Sequence, residues 1–484
     1  MNAAEWTVRQ FDLERSWSEL PGELGVVPVD LGSWARRLDV RHEQWFLLGP
    51  NGFPDIRVNR FLASSKFGVL AETTRRDYAR SLALWLNFLE VRGCPWWEAD
   101  EEHAEDFRFW RLTDPANSGT VQTSTFGKDV AACKKFYAWA SKRYGDVADV
   151  FAEVDFPIAK REAAVKWLDP AAWARWRDVG LRGRDLSGRR DRSWRGRNEQ
   201  RDAAFADGLY GSALRLSEWA SVVLPELPRL ETGRAYYTCA LADRCAKGEY
   251  GHAYWLPRRV LSDVWAYVEG SRARVVRQAQ AARTYERLAK RMVVDPGRSR
   301  GSVVMPDEEN GGRVVRAWNM VRPAARRRMF RETSEGLEPV WLWLNEDGMP
   351  RDPHGWHHTF DAANQRIAAF GLDNFHVTPH MGRHSAALRW FSAGKMVYAK
   401  QLAHLDGDEV RDFREQFGDT WDLVQTMLGH RRVETTKSVY LEPFQNLSVE
   451  ILLAQIEGLD IDKFVVEALA GHPRVINDPL VLPR

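Results

Sequence analysis

A mainly α-helical chain with a small antiparallel β-sheet (an α+β fold) is what the sequence predicts, and three observations predict it. Apolar residues recur at helical spacing at Tyr78, Leu82, Trp85, Leu86 and Leu89, and again at Phe126, Val130, Cys133, Phe136, Tyr137 and Trp139. Two aromatic-rich runs, RAYYTCA over 234–240 and HAYWL over 252–256, flank Gly248 and Gly251 and read as the strands of one hairpin. Further on, Thr378, Pro379 and Gly394 have the punctuation of a helix: a cap, a first-turn proline and a closing glycine.

Composition bounds the classes open to the chain. Its 484 residues suggest two to four domains, and 44% hydrophobic residues are ample for packed cores. A net charge of only +2 does not announce a nucleic-acid partner, so any case for one rests on where the arginines lie. The four cysteines, Cys94, Cys133, Cys239 and Cys245, lack Cys-x-x-Cys spacing, which fits a reducing cytoplasm and no structural zinc. There is no basic segment leading into an apolar run at the start and no stretch of about 18 uninterrupted apolar residues, so a cytoplasmic protein with no membrane partner is expected. Most of the 22 tryptophans are expected in cores, because a buried indole needs only one partner for its N–H.

In chain order, residues 1–60 mix short apolar patches with Pro and Gly and read as an irregular extension with one or two short helices. Residues 61–146 read as a bundle of roughly four helices, with another around Asp106–Leu112 between the two periodic segments. Residues 147–168 have weak periodicity and fit a linker. Leu181–Arg201 then carries eight arginines against three acidic residues, a run that reads as an exposed loop unable to fold on itself. From Asp202 a helix is expected to break at Gly211 and restart near Leu214, placing Arg215 at the junction with Glu218 three residues on. An ordinary surface Arg–Glu pair is the plain alternative. Lys247 falls at the hairpin turn and is the only lysine between Lys166 and Lys290; a solvent-exposed turn residue is the plain reading. Residues 271–335 hold a second basic block, expected to begin as helix, and a helix around Thr359–Phe370 leads into the last third.

That last third carries the chemistry. His380 and Arg383, three apart, share a helix face. Thr420 can cap a helix bearing Leu423, Val424, Met427 and Leu428, which Gly429 ends with His430 just beyond; a short helix from Thr435 then places Tyr440 near its end. Arginine offers a permanently charged fork matched to phosphate oxygens, and a neutral histidine can give or take one proton. A tyrosine, with a pKa of roughly 10, needs such neighbours to act as a nucleophile. His376, His380 and His384 recur every fourth residue, which invites a metal, but His376 precedes the helix start and no Glu or Cys completes a set, so no metal is assigned.

These strings resemble the tyrosine recombinase (phage integrase) family. Its second box, His-x-x-Arg, is matched by His380–Arg383; its third, Leu-Gly-His followed by Thr-Thr and a Tyr, by Leu428-Gly429-His430, Thr435, Thr436 and Tyr440; its first by Arg215 with Glu218 in support. The resemblance implies a helical, SAM-like core-binding domain over 61–146. It joins a DNA breaking-rejoining catalytic domain over 169–445 with an insertion at about 271–335, and a tail over 446–484 that could be a subunit-exchange helix. It implies a site-specific integrase in which Tyr440 forms a 3′-phosphotyrosyl bond, Arg215 and Arg383 bind the phosphate, Lys247 protonates the leaving 5′ oxygen, and His380 and His430 assist. No cofactor is then needed, because arginines carry the positive charge. The implied partner is double-stranded DNA, gripped in part through Arg75, Arg76, Arg80, Lys128, Lys134 and Lys135, each of which is otherwise a residue of a solvated face. The implied active unit is a tetramer on DNA, weak alone, with accessory proteins possible for direction. Type IB topoisomerase-like relaxation and a catalytically silent DNA-binding protein are the alternatives. Two departures stand out: Tyr440 lies ten residues after His430 where nine is expected, and the stretch Lys395–Asp419 is longer than usual.

Overall fold

The computed structural model describes residues 5–13, 33, 35, 37, 40–152, 166–295, 301–307, 311–402, 461–468 and 475–480. The chain divides into two compact units, Met1–Glu162 and Ala163–Arg484. The fold is α+β, with short two- and three-stranded sheets beside the helices.

In the first unit β1 (Thr7–Gln10) pairs antiparallel with β2 (Trp45–Leu48), followed by α1 (Ile56–Leu62), α2 (Ser65–Gly68), α3 (Glu72–Val91), α4 (Glu101–Leu112) and α5 (Thr123–Ala140). Asp55 caps α1 by accepting from the backbone N–H of Arg57 and Val58. The apolar stripes of α3 and α5 meet: Leu82, Trp85, Leu86 and Leu89 are buried with Phe126, Cys133, Phe136 and Tyr137. Burial obliges their polar atoms to pair, so Trp85 Nε1 donates to the Tyr137 hydroxyl (3.0 Å), which donates to the Trp96 carbonyl (2.7 Å).

The amino-terminal region departs from its expected irregularity. Trp6 N–H donates to Asn87 Oδ1 (2.7 Å) and Asn87 Nδ2 returns a bond to the Trp6 carbonyl (3.1 Å), fastening β1 to α3. Leu47 and Val58 lie in the same core as α3 and α5, so the bundle begins before residue 60. Each strand is only four residues long, too short for alternation to declare it, and the pairing is set by tertiary contact.

The second unit opens with β3 (Trp167–Leu168) and α6 (Pro170–Trp176), which runs on as a π-helical turn over Arg177–Leu181. Then come α7 (Glu199–Ser212), α8 (Leu216–Ala220), the antiparallel hairpin of β4 (Tyr236–Ala240) and β5 (Ala253–Pro257), α9 (Arg258–Tyr267) and α10 (Ala273–Ala281). Next are β6 (Met292–Val293), the antiparallel ribbon of β7 (Ser302–Pro306) and β8 (Arg313–Ala317), α11 (Pro323–Arg326), β9 (Met329–Thr333) and β10 (Gly336–Pro339). Two strand pairs are parallel, β6 with β9 and β3 with β11 (Val475–Ile476), where an antiparallel sheet alone was expected. The remaining helices are α12 (Gly355–Ala369), α13 (Pro379–Leu402) and α14 (Ile461–Ala468). One core runs through the unit, and Trp176, Trp219, Trp341, Trp343 and Trp356 are wholly buried in it, as the tryptophan count suggested.

Three readings are corrected here. The arginine-rich run does fold locally: Asp185 N–H donates to the Arg189 carbonyl, Asp191 N–H to the Gly183 carbonyl, and Arg366 of α12 holds Asp191 at 2.6 Å. The helix bearing His380 does not end at Gly394 but continues to Leu402, since an interior glycine costs only about 1 kcal/mol and no proline follows it. In the basic block read over 271–335, whose arginines would widen a DNA contact if exposed, Arg272 and Arg326 are instead buried structural groups. Arg272 holds Glu338 (2.6 Å) and the carbonyls of Pro339 and Leu342, while Arg326 grips both oxygens of Glu226 (2.8 and 2.7 Å) and the carbonyls of Ser221, Trp318 and Val321. With Arg326 only 1% exposed, Arg326→Ala leaves the Glu226 carboxylate uncompensated and is expected to cost about 3–5 kcal/mol. Chemical denaturation checks this, and a midpoint equal to wild type contradicts it.

The described parts of the tail pack on their own unit: Asp462 of α14 accepts from Arg389 Nε of α13 (2.7 Å), and Asp478, just past β11, accepts from Arg175 Nε of α6 (2.5 Å). The rest of the 446–484 tail read as a subunit-exchange helix, and most of the Lys395–Asp419 segment, lie outside the described residues.

Candidate active site

Local sequence puts Arg215 where it stands. Helix α7 ends on Ala213, whose φ of 58° is left-handed, and Arg215 in extended conformation caps α8. The break was expected at Gly211. That glycine serves packing instead, because a Cβ there would meet Val260 Cγ2 at 3.0 Å and Pro257 Cδ at 3.2 Å. Glu218 folds back over the cap: its Oε2 accepts from Arg215 N–H (2.8 Å) and its Oε1 from Arg215 Nη1 (2.8 Å).

Helix α13 supplies the second arginine. Thr378 Oγ1 accepts from Met381 N–H (3.3 Å), which is the expected cap, and Asn364 of α12 fixes the approach by bonding both backbone groups of Val377 (2.9 and 3.0 Å). Gly382 lets the helix close on its neighbours, since a Cβ there would lie 3.1 Å from the Trp173 ring. Arg383 Nη1 then donates to the Ala213 carbonyl (2.5 Å) at the left-handed turn and lies 3.8 Å from Glu218 Oε2. The hairpin closes the third side, with Lys247 N–H donating to Glu218 Oε1 (3.2 Å). One buried carboxylate thus gathers two guanidinium groups and the hairpin turn, from three distant stretches of sequence.

The electrostatics follow from that crowding. Burial alone would raise the Glu218 pKa, but the bonds from the Arg215 backbone and side chain and from Lys247 N–H outweigh it and hold the carboxyl below its usual value. Arg383 is pushed down to about 10, first by burial and then by Arg215, with Glu218 opposing. Two guanidinium groups about one buried carboxylate leave the pocket with an excess of positive charge, which is the condition for holding an anion. His380 is lowered by burial, then by Arg383, Arg215, His357 and Lys247, and His384, whose ring centroid lies 6.2 Å from that of His380, is lowered by burial, His380 and Arg383. Both imidazoles are therefore neutral at pH 7.

A stability prediction follows with its sign. Histidines held below the free value of 6.5 bind fewer protons folded than unfolded, so stability is full above about pH 6.5 and falls as pH drops through that window. Urea midpoints at pH 7.5 and 5.5 check it: His380→Gln and His384→Gln should each shrink the difference, and an unchanged difference in both counts against it.

Of the sequence-derived site residues, Arg215, Glu218, Lys247, His380 and Arg383 are brought into one neighbourhood, while His430 and Tyr440 lie outside the described residues. His376 lies before the first residue of α13, off the helix as expected. Among the described residues no group of three His, Cys, Asp or Glu could hold a metal ion. No described helix is long and apolar enough to cross a membrane.

In the first unit, Arg75, Arg76 and Arg80 stand on α3 and Lys128, Lys134 and Lys135 on α5. Residues 60–144 match the model of the phage integrase N-terminal SAM-like domain. That stretch is similar to the phage integrase N-terminal SAM-like domain. The integrase resemblance carried by the motifs is thereby met from an independent part of the chain. In the first unit only Arg76 of the six has a described ion pair, with adjacent Asp77 (3.2 Å); Arg80 and Lys128 are exposed. The XerH site-specific recombinase bound to palindromic difH substrate in a post-cleavage complex has 13% identity, with 78% of this chain and 79% of that one covered at a TM-score of 0.41. XerH bound to difH in a pre-cleavage complex has 12% identity, 76% of each chain covered and a TM-score of 0.40. XerA recombinase has 13% identity, 87% and 99% covered and a TM-score of 0.26. No curated protein matches the chain.

Two residues of the site were missed by the sequence reading. His384 was weighed only as a metal ligand, and its spacing of four from His380 was the available signal. His252, on which the charges of Glu218, Arg383 and Arg215 act, reads in sequence as the first residue of a strand, and nothing local marks it.

Proposed function

We propose that the chain is a site-specific DNA recombinase that cleaves and rejoins a phosphodiester through Tyr440. The observation that carries this is the pairing of Arg215 and Arg383 about buried Glu218, an anion site assembled by residues that match the integrase boxes. The SAM-like domain over 60–144 supports it from the other unit.

In the step proposed, the phenolic oxygen of Tyr440 bonds to phosphorus while its proton passes to His380, neutral and therefore able to accept it. The bond from phosphorus to the 5′ oxygen breaks, and that oxygen takes a proton from Lys247. The 3′ phosphate is left as a tyrosyl ester, and attack by a 5′ hydroxyl reverses the sequence. Arg215, Arg383 and His430 donate to the non-bridging oxygens, whose charge rises in the transition state. Because one ester replaces another, breaking and rejoining is nearly balanced in energy. A tetramer on two DNA sites is the proposed assembly, with residues on α3 and α5 of the SAM-like unit contacting backbone phosphates.

The test is a DNA substrate carrying a nick beside the cleavage position, so that the short fragment bearing the 5′ hydroxyl diffuses away and the ester accumulates. Denaturing electrophoresis should show a protein–DNA species with wild type and none with Tyr440→Phe. Absence of the species with wild type, on a library of candidate sites drawn from the DNA flanking the gene, overturns the proposal.

A further inference from the structure

Lys247 stands at the tip of the loop 241–252, and that loop is held from outside the hairpin as well as from within. Inside it, Leu241 N–H donates to the His252 carbonyl (2.9 Å) and Gly251 N–H to Asp243 Oδ1 (2.8 Å), closing the neck. Only glycine fits at 251, since a Cβ there would lie 2.2 Å from the Leu241 carbonyl oxygen. At the tip Glu249 N–H donates to the Ala246 carbonyl (3.0 Å), and Gly248, at φ 83°, takes the left-handed place after Lys247 that such a turn requires. The lysine backbone then reaches α8 through its N–H on Glu218.

A second support comes from the turn over Trp318–Arg322, far along the chain. Asn319 Nδ2 donates to Asp243 Oδ2 (3.0 Å), the oxygen that Gly251 leaves open, and Arg322 Nη2 lies 3.5 Å from Oε1 of Glu249, whose Oε2 pairs with Arg244. The Cys245 thiol, a weak donor, faces the Val321 carbonyl (3.9 Å). That turn is tied down in its own right, because buried Arg326 donates to the Trp318 and Val321 carbonyls and also to the carbonyl of Ser221, just past α8. The loop is therefore referred to α8 twice, directly by Glu218 and through Arg326 and the 318–322 turn. One hydrogen bond would let the loop pivot; two separated supports fix its orientation. An acid must stand within hydrogen-bond reach of the oxygen it protonates, and a lysine on a long flexible stem gains most from a fixed backbone.

We infer that the Trp318–Arg322 turn positions Lys247 for protonation of the leaving 5′ oxygen, with Asn319 and Arg322 as positioning residues that act through Asp243 and Glu249. This rests on the recombinase reading given under Proposed function, and it gives part of the basic block over 271–335 a task in the cleavage step. Asn319 and Arg322 are exposed, so removing them leaves the core intact. Exposed contacts of this kind are weak singly, so both are removed together.

The test uses two nicked substrates identical except for the atom that bridges phosphorus to the 5′ carbon, oxygen in one and sulfur in the other. A thiol, with a pKa of about 8.5, leaves as thiolate, so cleavage of the sulfur substrate does not need the acid. Single-turnover formation of the tyrosyl ester by the full chain is read on both at saturating DNA. Lys247→Ala should be slowed on oxygen by about a hundredfold or more and lie within about threefold of wild type on sulfur. The double variant Asn319→Ala/Arg322→Ala should show the same signature at smaller size, about tenfold slower on oxygen and within about twofold of wild type on sulfur. Arg383→Ala, slow on both, marks a defect that does not pass through the acid. A double variant that cleaves the oxygen substrate as fast as wild type, or that is slowed equally on both, overturns the inference and leaves the recombinase reading standing. So does a Lys247→Ala defect that sulfur does not relieve, since the loop would then hold no acid. No ester from wild type on either substrate overturns the recombinase reading itself, and the inference with it.

Discussion

Arg383→Ala is expected to slow single-turnover cleavage of the nicked substrate by about a hundred- to a thousandfold while leaving DNA binding within a few fold. The reason lies in where Arg383 spends its charge. Its Nη1 is tied to the Ala213 carbonyl at the turn that also sets Arg215, so the guanidinium arrives fixed and needs no reorganisation when charge develops on phosphate oxygens. Affinity for DNA is spread over many exposed cations, and one buried arginine contributes little to it. Arg383→Lys should recover little of the rate, because an ammonium lacks the planar fork and cannot satisfy both the carbonyl and a phosphate oxygen. Arg215→Ala should fall in the same range. The measurement is the rate of covalent-complex formation at saturating DNA, and a rate within threefold of wild type for Arg383→Ala would remove the arginine pair from the mechanism.

The parts of this site that could be read from sequence are those decided locally. Thr378 caps and Pro379 starts a helix by the chemistry of one turn, and Arg215 sits at a helix junction because the backbone breaks within a few residues of it. The hairpin was legible for the same reason: its strands are consecutive in sequence with only the loop 241–252 between them, and they pair Tyr236 with Pro257 through Ala240 with Ala253. What failed was anything that depends on a distant partner. Arg272 and Arg326 look in sequence like members of a basic block, and only the fold shows each enclosed by carbonyls and a glutamate. The β1–β2 pair was invisible because four-residue strands carry too little pattern, and its anchor is Asn87 on a helix far along the chain. The Lys247 turn is the sharpest case: its backbone N–H joins the site only because the loop tip reaches Glu218, which no local rule states.

Glu218→Ala is expected to destabilise the second unit more than removal of either arginine, by about 3 kcal/mol or more. Its carboxylate is 1% exposed, accepts three hydrogen bonds and opposes two guanidinium charges. Deleting it orphans the Arg215 and Lys247 backbone donors and leaves Arg383, already depressed to about 10, facing Arg215 with nothing between them. Deleting an arginine removes a charge from a site that has an excess, and the remaining pair with Glu218 is better balanced than before. The two kinds of variant should therefore respond oppositely to anions. Sulfate restores a negative charge between the guanidinium groups and should raise the melting temperature of Glu218→Ala by more than that of wild type, while Arg215→Ala and Arg383→Ala should gain almost nothing. Thermal denaturation with and without sulfate, against a chloride control of equal ionic strength, makes the comparison. If Glu218→Ala melts with wild type, or if all three variants gain equally from sulfate, the carboxylate is not what holds the arginines together.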